Sequence, residues 1–153
     1  MTFRWHLGYL ICMVQISERK YTEIGLGEQG TFTKTISESD VNQFAEISGD
    51  ANPVHTDADY ARGTIFKERI AHGFLTGSLI STVLGNTLPG PGTIYLSQQM
   101  KFLAPVKIGD TITAVCEVIK KKDEKQIIVL ETNVRNQDGQ LVLEGSATVM
   151  KPD

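Results

Sequence analysis

The sequence predicts an α+β fold in which an antiparallel sheet of about five strands packs around one buried helix. Strands are indicated by four segments rich in Val, Ile, Thr and Leu with partial period-two alternation, which cover residues 93–102, 111–119, 126–136 and 140–150. The buried helix is indicated by residues 73–84, GFLTGSLISTVL, whose polar members are all small and uncharged. A helix without a charged side is buried on most sides, so this segment belongs to the core.

Two further helices are predicted from local signals. The SESD sequence that starts at Ser37 has the form of a capping box, and apolar residues follow it at helical spacing until Gly49. This pattern predicts a helix over residues 38–47. A second short helix is expected over residues 57–62, with an irregular stretch around Pro53 between the two.

The remaining features concern the sheet. A further strand is expected over residues 30–36, ahead of the first helix. The Asp138-Gly139 pair predicts a tight hairpin turn between the last two strands, because these residues tolerate the positive φ that such turns require. Residues 120–125 are strongly charged and of both signs, so we expect a solvated connector there rather than a basic binding patch.

Length and composition favour a single packed domain and exclude several classes of function. The chain has 153 residues, of which 41% are hydrophobic and 22% charged, and a chain of this size buries one core. Its formal net charge of −3 offers no general attraction for phosphate backbones, so no nucleic-acid partner is expected. No stretch approaches about 18 consecutive apolar residues, so no membrane span is expected. Cys12 and Cys116 are too few for a disulfide framework, which favours a cytoplasmic location.

Residues 1–16 differ in composition from the rest and are interpreted as an amino-terminal extension, with the folded domain at residues 17–153. They contain Arg4 and a short apolar run, with no acidic residue before Glu18 and no small-residue cleavage site. Two explanations stay open: a start codon assigned upstream of Met13, or a transit peptide that directs the protein to an organelle. In either case the chemistry is expected downstream.

The densest polar cluster is SGDANPVH at residues 48–55. Asp50 and His55 lie five residues apart across a turn that contains Gly and Pro, and such a turn can direct both side chains to one point. A carboxylate beside an imidazole forms a general acid/base pair that works near neutral pH. The alternative is a structural Asx turn, in which Asp50 and Asn52 bond local backbone amides and His55 fills a surface groove.

A second cluster stands at the start of the predicted core helix. The unpaired amides of its first turn, including that of Gly73, offer a site for a developing oxyanion. His72 is a candidate base, but packing at the start of the helix is the preferred interpretation. Ser81 either contacts the substrate or bonds back to the carbonyl four residues earlier. His55, His72 and Cys116 match no known metal-ligand spacing, so no metal is predicted.

Three segments, SGDANPVH, HGFLTGSLIS and LAPVKIGD, occur in an order that resembles the MaoC-like family of hot-dog-fold proteins. Hydratase-type members of this family include (R)-specific enoyl-CoA hydratases. The resemblance extends over residues 30–150 and implies a single hot-dog domain, in which an antiparallel sheet wraps around a long central helix at residues 73–84. It also implies a homodimer in which two sheets pair.

The resemblance implies a role for each residue of the first motifs. Asp50 and His55 become the catalytic pair, and Asn52 supports their geometry. The backbone N–H of Gly73 becomes a donor to the thioester carbonyl. Ser81 and Leu84 match positions that resemble the lining of the acyl pocket in short hydratases.

The implied reaction is the reversible hydration of trans-2-enoyl-CoA to (R)-3-hydroxyacyl-CoA, a hydro-lyase reaction. It requires no metal or redox cofactor, and coenzyme A enters only as part of the substrate. A chain with a single hot-dog domain resembles enzymes for short to medium acyl groups. Two alternatives stay open: a (3R)-hydroxyacyl-ACP dehydratase, which acts on acyl-carrier-protein thioesters in fatty-acid synthesis, and a non-catalytic acyl-CoA-binding domain.

Overall fold

The structure, a computed structural model, describes residues 14–153. In this range four α-helices occupy Glu38–Ser48 (α1), Pro53–Thr56 (α2), Ala58–Arg62 (α3) and Gly73–Asn86 (α4). Five strands occupy Gln29–Thr35 (β1), Ile94–Phe102 (β2), Thr111–Lys122 (β3), Ile127–Arg135 (β4) and Leu141–Met150 (β5). The predicted α+β class is confirmed. Residues 1–13, which hold Cys12 and most of the proposed extension, lie outside the described residues.

The five strands form one antiparallel sheet in the order β1-β3-β4-β5-β2. The turn between β4 and β5 is the predicted hairpin, since the N–H of Asn136 donates to the carbonyl of Gln140 over 3.0 Å. Along β3 and β4, buried side chains alternate with more exposed ones, and the buried set forms the core with α4. On the edge strand β2, each of the large apolar residues is 40–48% exposed, and these are Ile94, Tyr95, Leu96 and Phe102.

The long helix α4 packs across the sheet against β1, β3 and β4. Its buried side chains repeat at helical spacing, and they are Leu75, Thr76, Leu79, Ile80, Val83 and Leu84. The predicted core helix is therefore confirmed, and it continues to Asn86. In the single chain one uncharged stripe, which includes Phe74, Ser78 and Ser81, is exposed. Neither α4 nor another helix between residues 14 and 153 is long and apolar enough to cross a membrane.

The segment that precedes the candidate site is shaped by helix caps. At the start of α1, Ser37 Oγ accepts from the N–H of Asp40 over 3.1 Å, as predicted. The helix ends at Gly49, whose φ of 77° is a left-handed conformation that glycine adopts without steric cost. The stretch around Pro53, expected to be irregular, is instead the helical turn α2. Asn52 caps this turn and Pro53 supplies the φ of its first position.

The charged segment 120–125 differs from its prediction as a connector. Its first three residues continue β3, and only Asp123–Lys125 forms a turn. Lys121 explains the difference, because its ammonium donates to the carbonyl oxygens of Tyr21 and Ile24 over 3.1 and 2.6 Å. The same ammonium lies 4.2 Å from the centroid of the Tyr21 ring, where a cation is attracted to the π face. These contacts hold the strand beyond its predicted end.

Candidate active site

Three polar side chains converge near the start of α4. Asp50 lies in the turn between α1 and α2, His55 lies on α2, and His72 directly precedes α4. A carboxylate oxygen of Asp50 and a ring nitrogen of each histidine lie within 4.8 Å of one another. The fold therefore brings the predicted pair, Asp50 and His55, to one point.

Local hydrogen bonds hold the turn that carries Asp50. Its Oδ1 accepts from the N–H of Asn52 over 3.2 Å, and Oδ1 of Asn52 accepts from the N–H of Val54 over 3.2 Å. Asn52 thus connects the carboxylate to the first turn of α2, and its supporting role in catalysis stays a prediction. In the described part of the chain, Oδ2 of Asp50 accepts no hydrogen bond. The Asx turn considered from the sequence therefore forms, and it leaves the second carboxylate oxygen of this exposed residue available to bind water.

The imidazole of His55 is held in one tautomer. Its Nδ1 lies 2.8 Å from the carbonyl oxygen of Ile70. Because a carbonyl oxygen only accepts, Nδ1 carries the proton, and Nε2 of the neutral ring keeps its lone pair. Burial lowers the pKa of His55 below its ordinary value, and His72 lowers it further, whereas the Ile70 bond and the Asp50 carboxylate raise it. The ring is therefore neutral at pH 7 and can act as a base through Nε2.

An apolar cavity of about 430 Å³ opens beside His55 and Gly73. Large side chains from separate parts of the chain form its walls, and they include Phe66, Ile70, Phe74, Phe102 and Val142. Ligand pockets are commonly lined in this way, with few polar groups among apolar side chains. The cavity thus provides space for an apolar chain next to the base.

The backbone of Gly73 faces this cavity at the first residue of α4. N–H groups of a first helical turn have no partner within the helix, and the helix dipole adds a positive partial charge there. The N–H of Gly73 is therefore suited to an anionic oxygen. A Cβ atom at this position would lie 2.8 Å from Cε1 of Phe102, so glycine allows the Phe102 ring to pack against the start of the helix.

The two residues predicted to line an acyl pocket, Ser81 and Leu84, lie about two to three turns further along α4. Leu84 is 1% exposed and belongs to the hydrophobic core, whereas Ser81 is exposed. Neither lines the cavity beside His55 in the single chain. Between residues 14 and 153 the Ser81 hydroxyl makes no bond to the carbonyl of Gly77, the alternative considered from the sequence. The acyl-pocket role of both residues stays a prediction.

Sequence reasoning missed Arg69, which braces the helical turn that carries His55. Its Nε donates to the carbonyl oxygen of His55 over 2.6 Å. Its other nitrogens donate to Glu38 Oε1 over 2.6 Å and to Asn42 Oδ1 over 2.7 Å. One guanidinium therefore ties α2 to α1. No local pattern marks this residue, because its partners lie 14 to 31 positions away.

Between residues 14 and 153, Asp50, His55 and His72 form the one group of side chains that could hold a metal ion. His55 Nδ1 and His72 Nε2 are occupied by carbonyl oxygens, so an ion would need the second nitrogen of each ring. The rings stack with their centroids 3.9 Å apart and their planes inclined by 31°. Ring lone pairs lie in the ring plane, so stacked rings do not direct them at one ion. Cys116, considered with the two histidines from the sequence, is buried in the core and lies outside this group.

Comparison with known proteins places this arrangement in a family. Residues 23–140 match the MaoC like domain. This chain belongs to the MaoC-like family. The matched range of the MaoC-like protein contains Asp50, Asn52, His55 and Gly73, together with α4 and most of the sheet.

Similar proteins agree with this assignment. The (R)-specific enoyl-CoA hydratase of Rhodospirillum rubrum is 49% identical over 132 residues, which cover 86% of this chain and 91% of that protein. The 3-hydroxybutyryl-CoA dehydratase of Methylorubrum extorquens is 46% identical over 130 residues, covering 85% of this chain and 81% of that protein. The solved structure of R-hydratase PhaJ1 from Pseudomonas aeruginosa in the unliganded form has a TM-score of 0.87 and 47% identity, and it covers 91% of this chain and 89% of that one. The predicted hot-dog fold is confirmed.

Proposed function

We propose that this MaoC-like protein is a hydro-lyase that reversibly hydrates trans-2-enoyl-CoA to (R)-3-hydroxyacyl-CoA. The observation that supports this most directly is that His55 lines an apolar cavity together with Gly73 and has Nε2 free of the Ile70 bond, while a carboxylate oxygen of Asp50 lies within 4.8 Å of a ring nitrogen of His55. Two similar proteins support this reaction, because one is named as an (R)-specific enoyl-CoA hydratase and the other as a 3-hydroxybutyryl-CoA dehydratase. Hydration and dehydration are the two directions of one reversible reaction.

The chemistry follows from the polarity of the substrate. The thioester carbonyl withdraws electrons from C3, so water can add there once it loses a proton. Asp50 and Nε2 of His55 hold one water, and as its O–H bond breaks, the oxygen bonds to C3 and the electrons of the C2–C3 double bond move toward the carbonyl. The pair then delivers a proton to C2 from the same side. No atom beyond those of water is added to the substrate.

The intermediate carries negative charge on the thioester oxygen. The N–H of Gly73 and the start of α4 would stabilise this oxyanion. One such donor typically lowers the activation free energy by about 3 kcal/mol. The reaction uses side chains, backbone and water, so we expect no cofactor. Short to medium acyl groups are proposed as substrates, in keeping with a single hot-dog domain.

We further propose that the MaoC-like protein works as a homodimer. The edge strand β2 has nine residues and exposes several large apolar side chains, and such an edge readily pairs with another strand. The uncharged exposed stripe of α4 gives a second surface suited to burial. Light scattering on the purified protein should give twice the mass of one chain, and Leu96→Lys on β2 should shift it toward the monomer.

The location in the cell is a proposal as well. The sparse cysteines favour the cytoplasm, where thiols stay reduced, and burial raises the pKa of the Cys116 thiol to about 12, which keeps it unreactive. If residues 1–16 are instead a transit peptide, a fluorescent protein fused after residue 16 should move to an organelle. The same fusion without residues 1–16 is the control.

Loss of the enoyl-thioester absorbance with crotonyl-CoA tests the reaction, and chiral analysis of the product tests its configuration. Asp50→Asn should lower kcat by about 10²- to 10⁴-fold, the usual contribution of a general acid or base. Asp57→Asn is the matched control, because Asp57 caps α3 outside the site and asparagine caps equally well. Binding without turnover by the wild type, or full activity in Asp50→Asn, would contradict the proposal.

The choice of carrier needs a separate comparison. The same acyl group is presented on coenzyme A and on acyl carrier protein, and kcat/KM is measured for both. A higher value on coenzyme A supports the hydratase proposed here. A higher value on the carrier protein instead identifies the dehydratase alternative.

A further inference from the structure

His72 connects the two halves of the candidate site. It is 2% exposed, it directly precedes α4, and it does not line the cavity beside His55. We propose that His72 is a positioning residue that fixes the Asp50 and His55 pair relative to the N–H of Gly73, a role that rests on the function proposed above. It acts through its neighbours and does not touch the substrate.

The first contact is a hydrogen bond to the backbone of the acid/base turn. Nε2 of His72 lies 2.9 Å from the carbonyl oxygen of Asp50, and because that oxygen only accepts, Nε2 carries the proton. The carbonyl of His72 accepts from the N–H of Thr76 over 3.1 Å, inside the first turn of α4. One residue therefore bonds to Asp50 with its side chain and begins the helix that carries Gly73 with its backbone.

The second contact is between rings. The imidazoles of His72 and His55 stack with their centroids 3.9 Å apart, and the Phe44 ring of α1 lies 4.9 Å from that of His72. Stacking restricts rotation of the His55 ring, whose Nδ1 is already bound to Ile70. The direction of the His55 lone pair is thus set by two independent neighbours.

The remaining nitrogen explains why His72 is not the base. Within the described range, Nδ1 of His72 is buried and has no hydrogen-bond partner. A buried atom closed to the cavity cannot exchange a proton with substrate. Its other nitrogen is already committed to Asp50, so His72 serves as a fixed donor and a packing surface.

Two substitutions separate the hydrogen bond from the stacking. His72→Phe keeps an aromatic ring but has no N–H group for the Asp50 carbonyl. His72→Gln places an amide N–H near the position of Nε2 and removes the ring. Thermal unfolding of both variants shows first that each is folded.

With crotonyl-CoA, His72→Phe should lower kcat by about 10- to 100-fold with little change in KM, since small displacements of catalytic groups have effects of this size. His72→Gln should recover a substantial part of the lost kcat. A His72→Phe enzyme with the kcat of the wild type overturns the proposal. So does a His72→Gln enzyme as slow as a folded His72→Phe enzyme.

A measurement on the wild-type protein keeps the proposal testable if His72→Phe does not fold. The chain has three histidines, so long-range ¹H–¹⁵N NMR spectra are simple, and the spectra of His55→Gln and His72→Gln assign the signals. The proposal requires His72 to be protonated on Nε2 and His55 on Nδ1. A His72 ring protonated on Nδ1 alone cannot donate to Asp50 and overturns it.

The two readouts also separate failure of this proposal from failure of the proposed function. Absence of turnover in the wild type rejects the hydratase function and with it a catalytic role for the contact, whatever the NMR spectra show. Turnover in the wild type that His72→Phe leaves unchanged rejects only the role of His72.

Discussion

The Nδ1 atom of His55 lies 2.8 Å from the backbone carbonyl oxygen of Ile70. The two segments are also joined in the opposite direction, because the N–H of Ile70 donates to the carbonyl of Val54 over 3.4 Å. The imidazole of His55 is therefore oriented by the backbone that leads into α4. This bond leaves Nε2 as the nitrogen that is available to bind water.

We expect the acid limb of the pH profile to report His55. Its pKa lies below the ordinary value of 6.5, chiefly because of burial. The midpoint of this limb should therefore lie below pH 6.5, and activity is lost there because Nε2 takes up a proton. The unfolded chain binds that proton more readily than the folded one, so the contribution of His55 to stability is also lost as pH falls below 6.5.

The measurement is kcat/KM against pH with crotonyl-pantetheine, a thioester without the phosphate groups of coenzyme A that titrate in the same range. NMR titration of the assigned His55 signal provides the direct check. A midpoint at or above 6.5 in both experiments contradicts the prediction.

Removal of the Asn52 cap should loosen the turn between Asp50 and His55. Asn52→Ala deletes the acceptor of the Val54 N–H, and loss of such a cap costs about 1 kcal/mol. Exchange of the Val54 amide in the native state should therefore become about fivefold faster, and kcat should fall. Asn52→Ser retains a capping oxygen and should stay close to the wild type. Equal exchange rates in Asn52→Ala and the wild type would count against the cap.

Local patterns predicted the elements and the key residues of the turn. The capping box of α1 and the uncharged core helix each depend on residues close in the sequence, and the structure agrees with both. The motif residues Asp50 and His55 were identified in the same way. Their proximity was predictable because five residues and one turn separate them, whereas their catalytic role stays a prediction.

The contacts that orient these residues were not predictable from local patterns. The bonds from Arg69 to His55 and from His72 to Asp50 span 14 and 22 residues, and they exist only because the fold brings α2 and the start of α4 together. For the same reason the prediction for residues 120–125 was wrong at residues 120–122, whereas residues 123–125 form the expected exposed turn. Lys121 is ordered by carbonyl oxygens about a hundred positions away, so its charge alone gave a misleading signal.

Gly73→Ala should disturb the oxyanion site. The added Cβ would lie 2.8 Å from Cε1 of Phe102, so the ring or the start of α4 must shift. We expect kcat to fall, and the double variant Gly73→Ala with Phe102→Ala to recover part of the loss. Gly85→Ala is the control within the same helix, because nothing lies within 4 Å of its Cβ position. That variant should be as active as the wild type and about 0.5–1 kcal/mol more stable.

Leu84→Ala should act mainly on stability. Leu84 is 1% exposed in the core, and replacement of a buried leucine by alanine costs about 2–5 kcal/mol. Chemical denaturation measures this loss from the shift in midpoint at constant slope. A cost below 1 kcal/mol would instead mean that the side chain faces a space already open, as a residue at the end of an acyl pocket would.

Ser81→Ala gives the cleaner test of the predicted acyl pocket, because Ser81 is exposed in the single chain. Loss of this hydroxyl should change the stability of the single chain by less than about 0.5 kcal/mol. Because the stripe is proposed to be buried in a homodimer, light scattering and thermal unfolding of Ser81→Ala show first that its assembly and stability are those of the wild type. If the hydroxyl lines the acyl pocket, the ratio of kcat/KM for four-carbon and eight-carbon enoyl-CoA should change severalfold. Ser78→Ala, one turn earlier on the same exposed stripe, is the matched control. An unchanged ratio in Ser81→Ala removes Ser81 from the pocket and leaves chain length to the apolar wall beside His55.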